Sequence, residues 1–349
     1  MILLNRYFFL LSGEHSELPK AEIEAILESE KITTGKKEYL DQVLLIETTS
    51  EGLKHIAGRA AMVHGGGLHL LTIRLDRHDW KDKLKTAINA INLPLRVGSS
   101  FAVRCRRIKL SCSHIKIPTL EMMIGKYLKQ QDIAICVDLE RPDQIVYGIL
   151  TELSLVLGLK LFSIKRGAFD TRRAHFRKFV HPSAINPRLA RTMVNLSRAS
   201  PQKRFLDPFT GSGGMLIEAG MIGCKPLGIE IDPKMIRGAQ TNLHYFRITD
   251  YELIVGDART PPVIEVDAIA TDPPYGASSS TKGVAVSELI QDVLLATREI
   301  LTPGGFICIA TPNTINLEQQ GKNANLQLFS MFLQFVHRSL TRKIGVFKR

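Results

Sequence analysis

Cysteine is scarce in this 349-residue sequence, and its five cysteines include no C-x-x-C pair. Cys105, Cys112, Cys136, Cys224 and Cys308 are odd in number and scattered, which argues against a disulfide framework or a structural zinc site. No metal ligand set is expected, and a reducing compartment is. No run approaches the roughly 18 consecutive apolar residues of a membrane-spanning helix. The opening Met1-Ile2-Leu3-Leu4-Asn5-Arg6 breaks its apolar run too early for a signal peptide. A cytoplasmic location follows as the expectation. Acidic residues are in deficit, with 34 Asp and Glu against 46 Lys and Arg, a formal net charge of +12. That imbalance points toward a polyanionic partner. The dinucleotide fingerprint also lacks a member: Leu216 stands where its third glycine would be, so a dehydrogenase reading loses its best support.

What is present is organised around Asp272-Pro273-Pro274-Tyr275-Gly276. The apolar run Val266 to Thr271 reads as a buried strand, and two prolines, which cannot donate to a ladder, stop it at Asp272. A carboxylate, a proline carbonyl and an aromatic ring then gather at the carboxyl edge of a sheet, where open α/β sheets bind ligands. Asp272 and the Pro273 carbonyl can accept two N–H bonds from a planar amine while Tyr275 stacks on its ring. Sixty-five residues upstream, Phe205-Leu206-Asp207 runs into Pro208-Phe209-Thr210-Gly211-Ser212-Gly213-Gly214 and a helical pattern over Met215 to Ile222. A strand, a glycine-rich turn and a helix start form a nest of backbone N–H groups. The strand Pro226 to Asp232 follows with Glu230 near its end, where an acid can accept from both hydroxyls of a ribose. The strand Leu253-Ile254-Val255 ends at Gly256-Asp257-Ala258 and places another carboxylate beside a slot of adenine size.

Taken in this order, D207PFTGSGG214, G228IEID232, G256DA258 and D272PPY275 resemble the successive motifs of S-adenosylmethionine-dependent amino-methyltransferases. The resemblance implies cofactor binding by Asp207, Thr210, Gly211, Gly213, Glu230, Asp257 and Ala258, and catalysis by Asp272, Pro273 and Tyr275. His181-Pro182-Ser183-Ala184-Ile185-Asn186-Pro187 resembles the start of the family's extra helix, which closes over the methionine end and brings Ser183 into the cofactor set.

The N-terminal half reads as small α+β units. Strands at Tyr7–Ser12 and Gln42–Thr48 alternate with helices at Pro19–Ser29 and Gly52–Ala60, an order that fits a ferredoxin-like unit over residues 1–77. F101AVRCRRI108 and V137DLERPDQIVYGIL150 resemble the THUMP module, an RNA-binding domain that gauges tRNA by its acceptor end; residues 78–164 are assigned to it. On the alternating strand Ser100 to Ile108, Arg104 and Arg106 face outward. Residues 165–178 hold six Lys or Arg in fourteen positions and read as a linker along an RNA path, with Arg172 and Arg173 as phosphate contacts. Residues 179–349 complete the catalytic domain, with Ala277 to Lys282 as a lid-like loop and an antiparallel pair at Phe329–Val336 and Thr341–Lys348. The resemblances imply an α/β fold class: a Rossmann-like class I methyltransferase domain with a seven-stranded, mostly parallel sheet and an antiparallel terminal strand, preceded by ferredoxin-like and THUMP domains.

Over the whole chain the resemblance is to the THUMP-containing tRNA guanine-N2-methyltransferases of archaeal and eukaryotic type that modify guanine-10. It implies one or two methyl transfers to the exocyclic amine of a tRNA guanine, and in some members a small zinc-binding activator protein as partner. Guanine-6 is the alternative target. DNA or a protein glutamine as acceptor, and an inactive RNA-binding module, are the other classes. A glutamine enzyme would usually show Asn where Asp272 stands.

Overall fold

A computed structural model describes residues 3–76, 78–91, 94, 98–131, 136–165, 167–182, 184–274, 286–337 and 340–349. The expected lid-like loop 277–282, Tyr275 and Ser183 lie outside the described residues. In chain order the first elements are β1 (Asn5–Leu11), α1 (Leu18–Ser29), β2 (Thr34–Leu40), β3 (Val43–Thr48), α2 (Ser50–Arg59) and β4 (Val63–Arg74). Next come α3 (Trp80–Asn89), β5 (Ser100–Arg107), α4 (Ile117–Lys129), β6 (Cys136–Val137), β7 (Gln144–Thr151) and β8 (Ser154–Ser163). Then follow α5 (Gly167–Asp170), α6 (Pro187–Leu196), β9 (Arg204–Asp207), α7 (Gly214–Met221), β10 (Lys225–Glu230), α8 (Pro233–Tyr245), β11 (Glu252–Val255) and β12 (Val266–Thr271). The chain closes with α9 (Val286–Ile300), β13 (Leu301–Pro312), α10 (Leu317–Asn323), β14 (Gln327–His337) and β15 (Leu340–Lys348).

Two compact units result. The first comprises Met1–Ser16, Ile32–Ala57 and Val63–Ile164; the second comprises Glu17–Lys31, Gly58–Met62 and Lys165–Arg349. In the first, a single eight-stranded sheet runs in the order β2-β3-β1-β4-β8-β7-β5-β6. Leu84, Ile88, Leu120, Ile124 and Leu128 of α3 and α4 pack against Phe101, Val103, Val146 and Leu157 of that sheet. Its central strand β4 carries Gly65-Gly66-Gly67. The neighbouring backbones explain it: a Cβ on Gly67 would lie 1.9 Å from the Leu159 carbonyl oxygen, and one on Gly66 2.6 Å from that of Phe8. Only glycine lets three strands approach so closely.

The second unit has a seven-stranded sheet ordered β11-β10-β9-β12-β13-β15-β14. β9 to β13 are parallel, whereas β15 runs antiparallel to both β13 and β14. This is the Rossmann-like methyltransferase sheet, with its antiparallel final strand. Leu189, Met193 and Val194 of α6 and Leu216 and Ile217 of α7 cover one face with Phe205, Ala268 and Phe306. Ile290 and Leu294 of α9 and Leu317 of α10 cover the other with Leu206, Ile269 and Ile307.

Helix α1 belongs to this second unit although it precedes β2 in sequence. Its Glu22 is fully buried and accepts from the backbone N–H groups of Ala61 and Met62 at 3.0 and 2.8 Å and from Asn195 Nδ2 at 2.9 Å. Burial pushes the Glu22 carboxyl above its usual range, and these donors oppose that push.

Candidate active site

The sheet of the second unit changes direction at β9. β10 and β11 extend it one way, β12 and β13 the other, so a crevice opens between the carboxyl ends of β9 and β12. Ligands of open α/β sheets bind at such a switch point. The strand order sets the strand-end acids in a row: Asp257 after β11, Glu230 ending β10, Asp207 ending β9 and Asp272 after β12.

Asp207 is buried to 2% exposure. Its Oδ1 accepts from Thr271 Oγ1 at 2.7 Å and from the Phe209 backbone N–H at 3.1 Å, stitching β9 to β12. Burial raises the Asp207 carboxyl from 3.8 to about 7, with the charges of Asp272 and Glu230 adding to the rise. The turn after β9 is tied down by Thr210, whose hydroxyl donates to the Asp207 carbonyl at 2.9 Å. Gly213 then adopts φ +84°, a left-handed conformation that leads directly into α7.

Glu230 binds that turn. Its Oε2 accepts from the Gly211 N–H at 2.9 Å, while Oε1 accepts from the N–H groups of Ile231 and Asp232 at 2.9 and 3.2 Å. A carboxylate has about four acceptor positions, so capacity remains for hydroxyl donors. Asp257 is held by Arg259: the guanidinium Nε lies 3.1 Å from both carboxylate oxygens and Nη2 lies 2.7 Å from Oδ2. That pairing raises the Arg259 guanidinium above its ordinary value. Ala258 is buried with Leu289 and Val293, and Phe209 packs against them, giving this end of the row an apolar wall. The glycine turn without Cβ atoms, the strand-end acid Glu230 and the apolar wall suit a cationic nucleoside cofactor.

Asp272 follows β12 beside buried Pro273. Its Oδ2 accepts from Arg342 Nη2 at 3.1 Å, and the two side chains are 13% and 16% exposed. Arg342 sits on β15 opposite Pro312 of β13, a neighbour that nothing in the local sequence around Asp272 announces.

The basic segment expected to lie along an RNA path turns partly inward. Arg172 donates from Nε to Glu218 Oε1 at 2.6 Å and from Nη2 to Oε2 at 3.2 Å, with its guanidinium 4.7 Å from the Phe169 ring. Arg191 adds a 2.9 Å ion pair to Glu218, which is 1% exposed. Arg177 is buried as well; it donates to the Arg172 carbonyl at 2.9 Å and to Ser212 Oγ at 3.3 Å, beside the glycine turn. Glu218 was the available clue, an acid in the otherwise apolar helix Gly214–Met221 that needed a cation. Arg173 is half exposed and paired with Asp170 at 2.8 Å. In the first unit Arg104 donates to the carbonyls of Val103 and Leu139, and Arg106 is exposed; Tyr147 lies on the neighbouring strand β7, opposite Arg104. Lys160 Nζ lies 5.1 Å from that ring's centre. The two arginines thus share one face of β5; the linker arginines belong to the second unit. Among the described residues, no cluster of three His, Cys, Asp or Glu could hold a metal, and no helix is long and apolar enough to cross a membrane.

Fold and strand-end acids together define a Rossmann-like methyltransferase, and the UPF0020 family model, an RMKL-like methyltransferase domain, matches residues 174–344. A tRNA (guanine(10)-N2)-dimethyltransferase of Methanothermobacter thermautotrophicus is 37% identical over 97% of this chain and 98% of its own length. A protein of the same description from Pyrococcus abyssi is 33% identical over 96% and 97%. A tRNA (guanine(6)-N2)-methyltransferase of Thermus thermophilus is 29% identical over 70% and 72%. Among solved structures, TrmN from Thermus thermophilus shares the fold, with a TM-score of 0.56 at 23% identity over 99% of both chains. The chain belongs to the family of the tRNA (guanine(10)-N2)-dimethyltransferases.

Proposed function

We propose that this protein transfers one methyl group, then a second, from S-adenosylmethionine to the exocyclic N2 amine of guanine-10 in tRNA. The observation that carries the reading is the near full-length similarity to archaeal dimethyltransferases of that description. The cofactor supplies an electrophilic methyl carbon bound to a sulfonium sulfur. In this reading Glu230 and Asp257 accept from its nucleoside end, Asp207, Thr210, Gly211 and Gly213 shape the turn around it, and Ala258 borders the adenine. Ser183 and Tyr275 keep their expected roles on the sequence alone.

The guanine amine is a poor nucleophile because its lone pair is delocalised into the ring. Asp272 and the Pro273 carbonyl accept its N–H bonds, which localises that lone pair on nitrogen. The carboxylate then stabilises the positive charge that grows on nitrogen during transfer. Asp272 takes the proton once methylation has made the nitrogen acidic. The base must leave the folded RNA to reach this crevice.

The first unit is assigned to tRNA docking, with residues 78–164 as the THUMP module and Arg104 and Arg106 as phosphate contacts, joined by Arg173 of the second unit. The charge of Arg172 is matched by Glu218, so Arg172 supports the catalytic fold instead. A small zinc-binding activator protein is part of the proposal, to be dropped if the chain alone is fully active. The setting for such an enzyme is the cytoplasm.

Incubation of unmodified tRNA with the protein and labelled cofactor, followed by mass spectrometric mapping, tests the reading. N2-methylated guanine-10 is the expected product. Methylation at guanine-6 would favour the second reading, motivated by the Thermus thermophilus relative. Label on DNA or protein alone, or no transfer even with the activator protein added, would refute both.

A further inference from the structure

We propose that Arg342 is a positioning residue for Asp272, holding its carboxylate fixed at the mouth of the crevice as an acceptor for the substrate amine. The inference rests on the amino-methyltransferase reading and adds a residue that none of the four strand-end motifs contains. Arg342 comes from β15, on the far side of β13 from Asp272. It reaches across the end of β13 to donate to Oδ2 at 3.1 Å. Both side chains are largely withdrawn from water, so the pair is screened less than a surface pair and fixes the carboxylate's direction.

Asp272 needs such a partner because of its neighbours. Asp207 lies close enough that the charge of Asp272 raises its carboxyl, and Glu230 acts on the same group. Three carboxylates around one crevice repel one another, and a protonated Asp272 would donate to the amine instead of accepting from it. One guanidinium beside Asp272 offsets that repulsion. It does so from the Oδ2 side and from a rigid strand, so the acceptor is both charged and aimed before substrate arrives. The geometry also suits the antiparallel placement of β15, because the amino end of that strand lies beside the carboxyl ends of β12 and β13, where the chemistry is.

The test uses the full chain, with Arg342→Gln and Arg342→Lys as variants. The first readout needs no methyl transfer: the Asp272 carboxyl is followed by carbon NMR against pH. In Arg342→Gln its titration moves up by at least about one pH unit, the low end for removal of an adjacent cation, and Arg342→Lys recovers part of the shift. The second readout is the single-turnover rate on saturating tRNA and cofactor. Arg342→Gln lowers it at least about tenfold at neutral pH and moves the acid limb of the profile upward, with cofactor affinity unchanged. An unmoved Asp272 titration overturns the proposal, whether or not the protein methylates tRNA. A defect confined to tRNA affinity and its salt slope, with the acid limb in place, also overturns it and makes Arg342 a phosphate contact. A shifted titration in a parent protein that methylates no tRNA would sink the functional reading and leave the pairing standing.

Discussion

Replacing Asp207 by Asn should make the ligand-free protein more stable at pH 8 and leave it nearly unchanged at pH 4. Asp207 is buried between β9 and β12, with its carboxyl raised from 3.8 to about 7. A carboxyl whose folded value lies above its unfolded one favours the fold while protonated. That favour is complete below about 4, declines as pH rises and is gone above about 7, where a charge must be kept inside the protein. A difference of about 3 units at about 1.4 kcal/mol each sets an upper bound of ~4 kcal/mol on the cost. Asn is the informative substitution because both hydrogen bonds, from Thr271 and Phe209, arrive at Oδ1, which an amide oxygen can replace. The charged neighbours Asp272 and Glu230 remain in both proteins. Urea unfolding of parent and variant at pH 4, 5, 6, 7 and 8 gives the curve. The stability gap should open between about pH 4 and 7; parallel curves would show that Asp207 ionises without penalty.

Three further outcomes follow from the same geometry. Asp272→Ala should bind cofactor and tRNA normally yet lose at least about 10²–10³-fold in kcat, because its bond to the amine strengthens as charge develops. Asp272→Asn should lose less, and a rate within a few-fold of the parent would reduce Asp272 to a strand terminator. Glu218→Gln strips the anion from a buried site shared by Arg172 and Arg191, so denaturation should show a loss of about 3–5 kcal/mol. An unchanged midpoint would mean that these cations find other partners. Arg106→Ala combined with Arg173→Ala should weaken tRNA binding and flatten its salt dependence by ~0.7–0.9 for each phosphate no longer neutralised, measured by filter binding across salt concentrations. Unchanged affinity and slope would take both residues off the RNA path.

The local sequence determined the elements of the catalytic half and the row of acids along its edge. Short apolar runs closed by Asp207, Glu230, Gly256-Asp257 and Asp272-Pro273-Pro274 announce strands and their ends, because proline and glycine act on their own backbone wherever they stand. The antiparallel final pair was equally legible. Strand β4 was not assigned from the sequence, and only the backbones of β1 and β8 show why Gly65-Gly66-Gly67 must lack side chains. The partners of charges were also beyond the sequence. Arg172 and Arg177 look like a solvated basic run, yet a buried acid on α7 draws Arg172 inward and Arg177 follows onto the glycine turn. Glu22 binds α1 to α6 across 173 positions, and Arg342 meets Asp272 across 70. A backbone preference is a property of the residue itself, whereas an ion pair depends on which strands become neighbours; only the folded order β12-β13-β15 brings Arg342 to the carboxylate it holds.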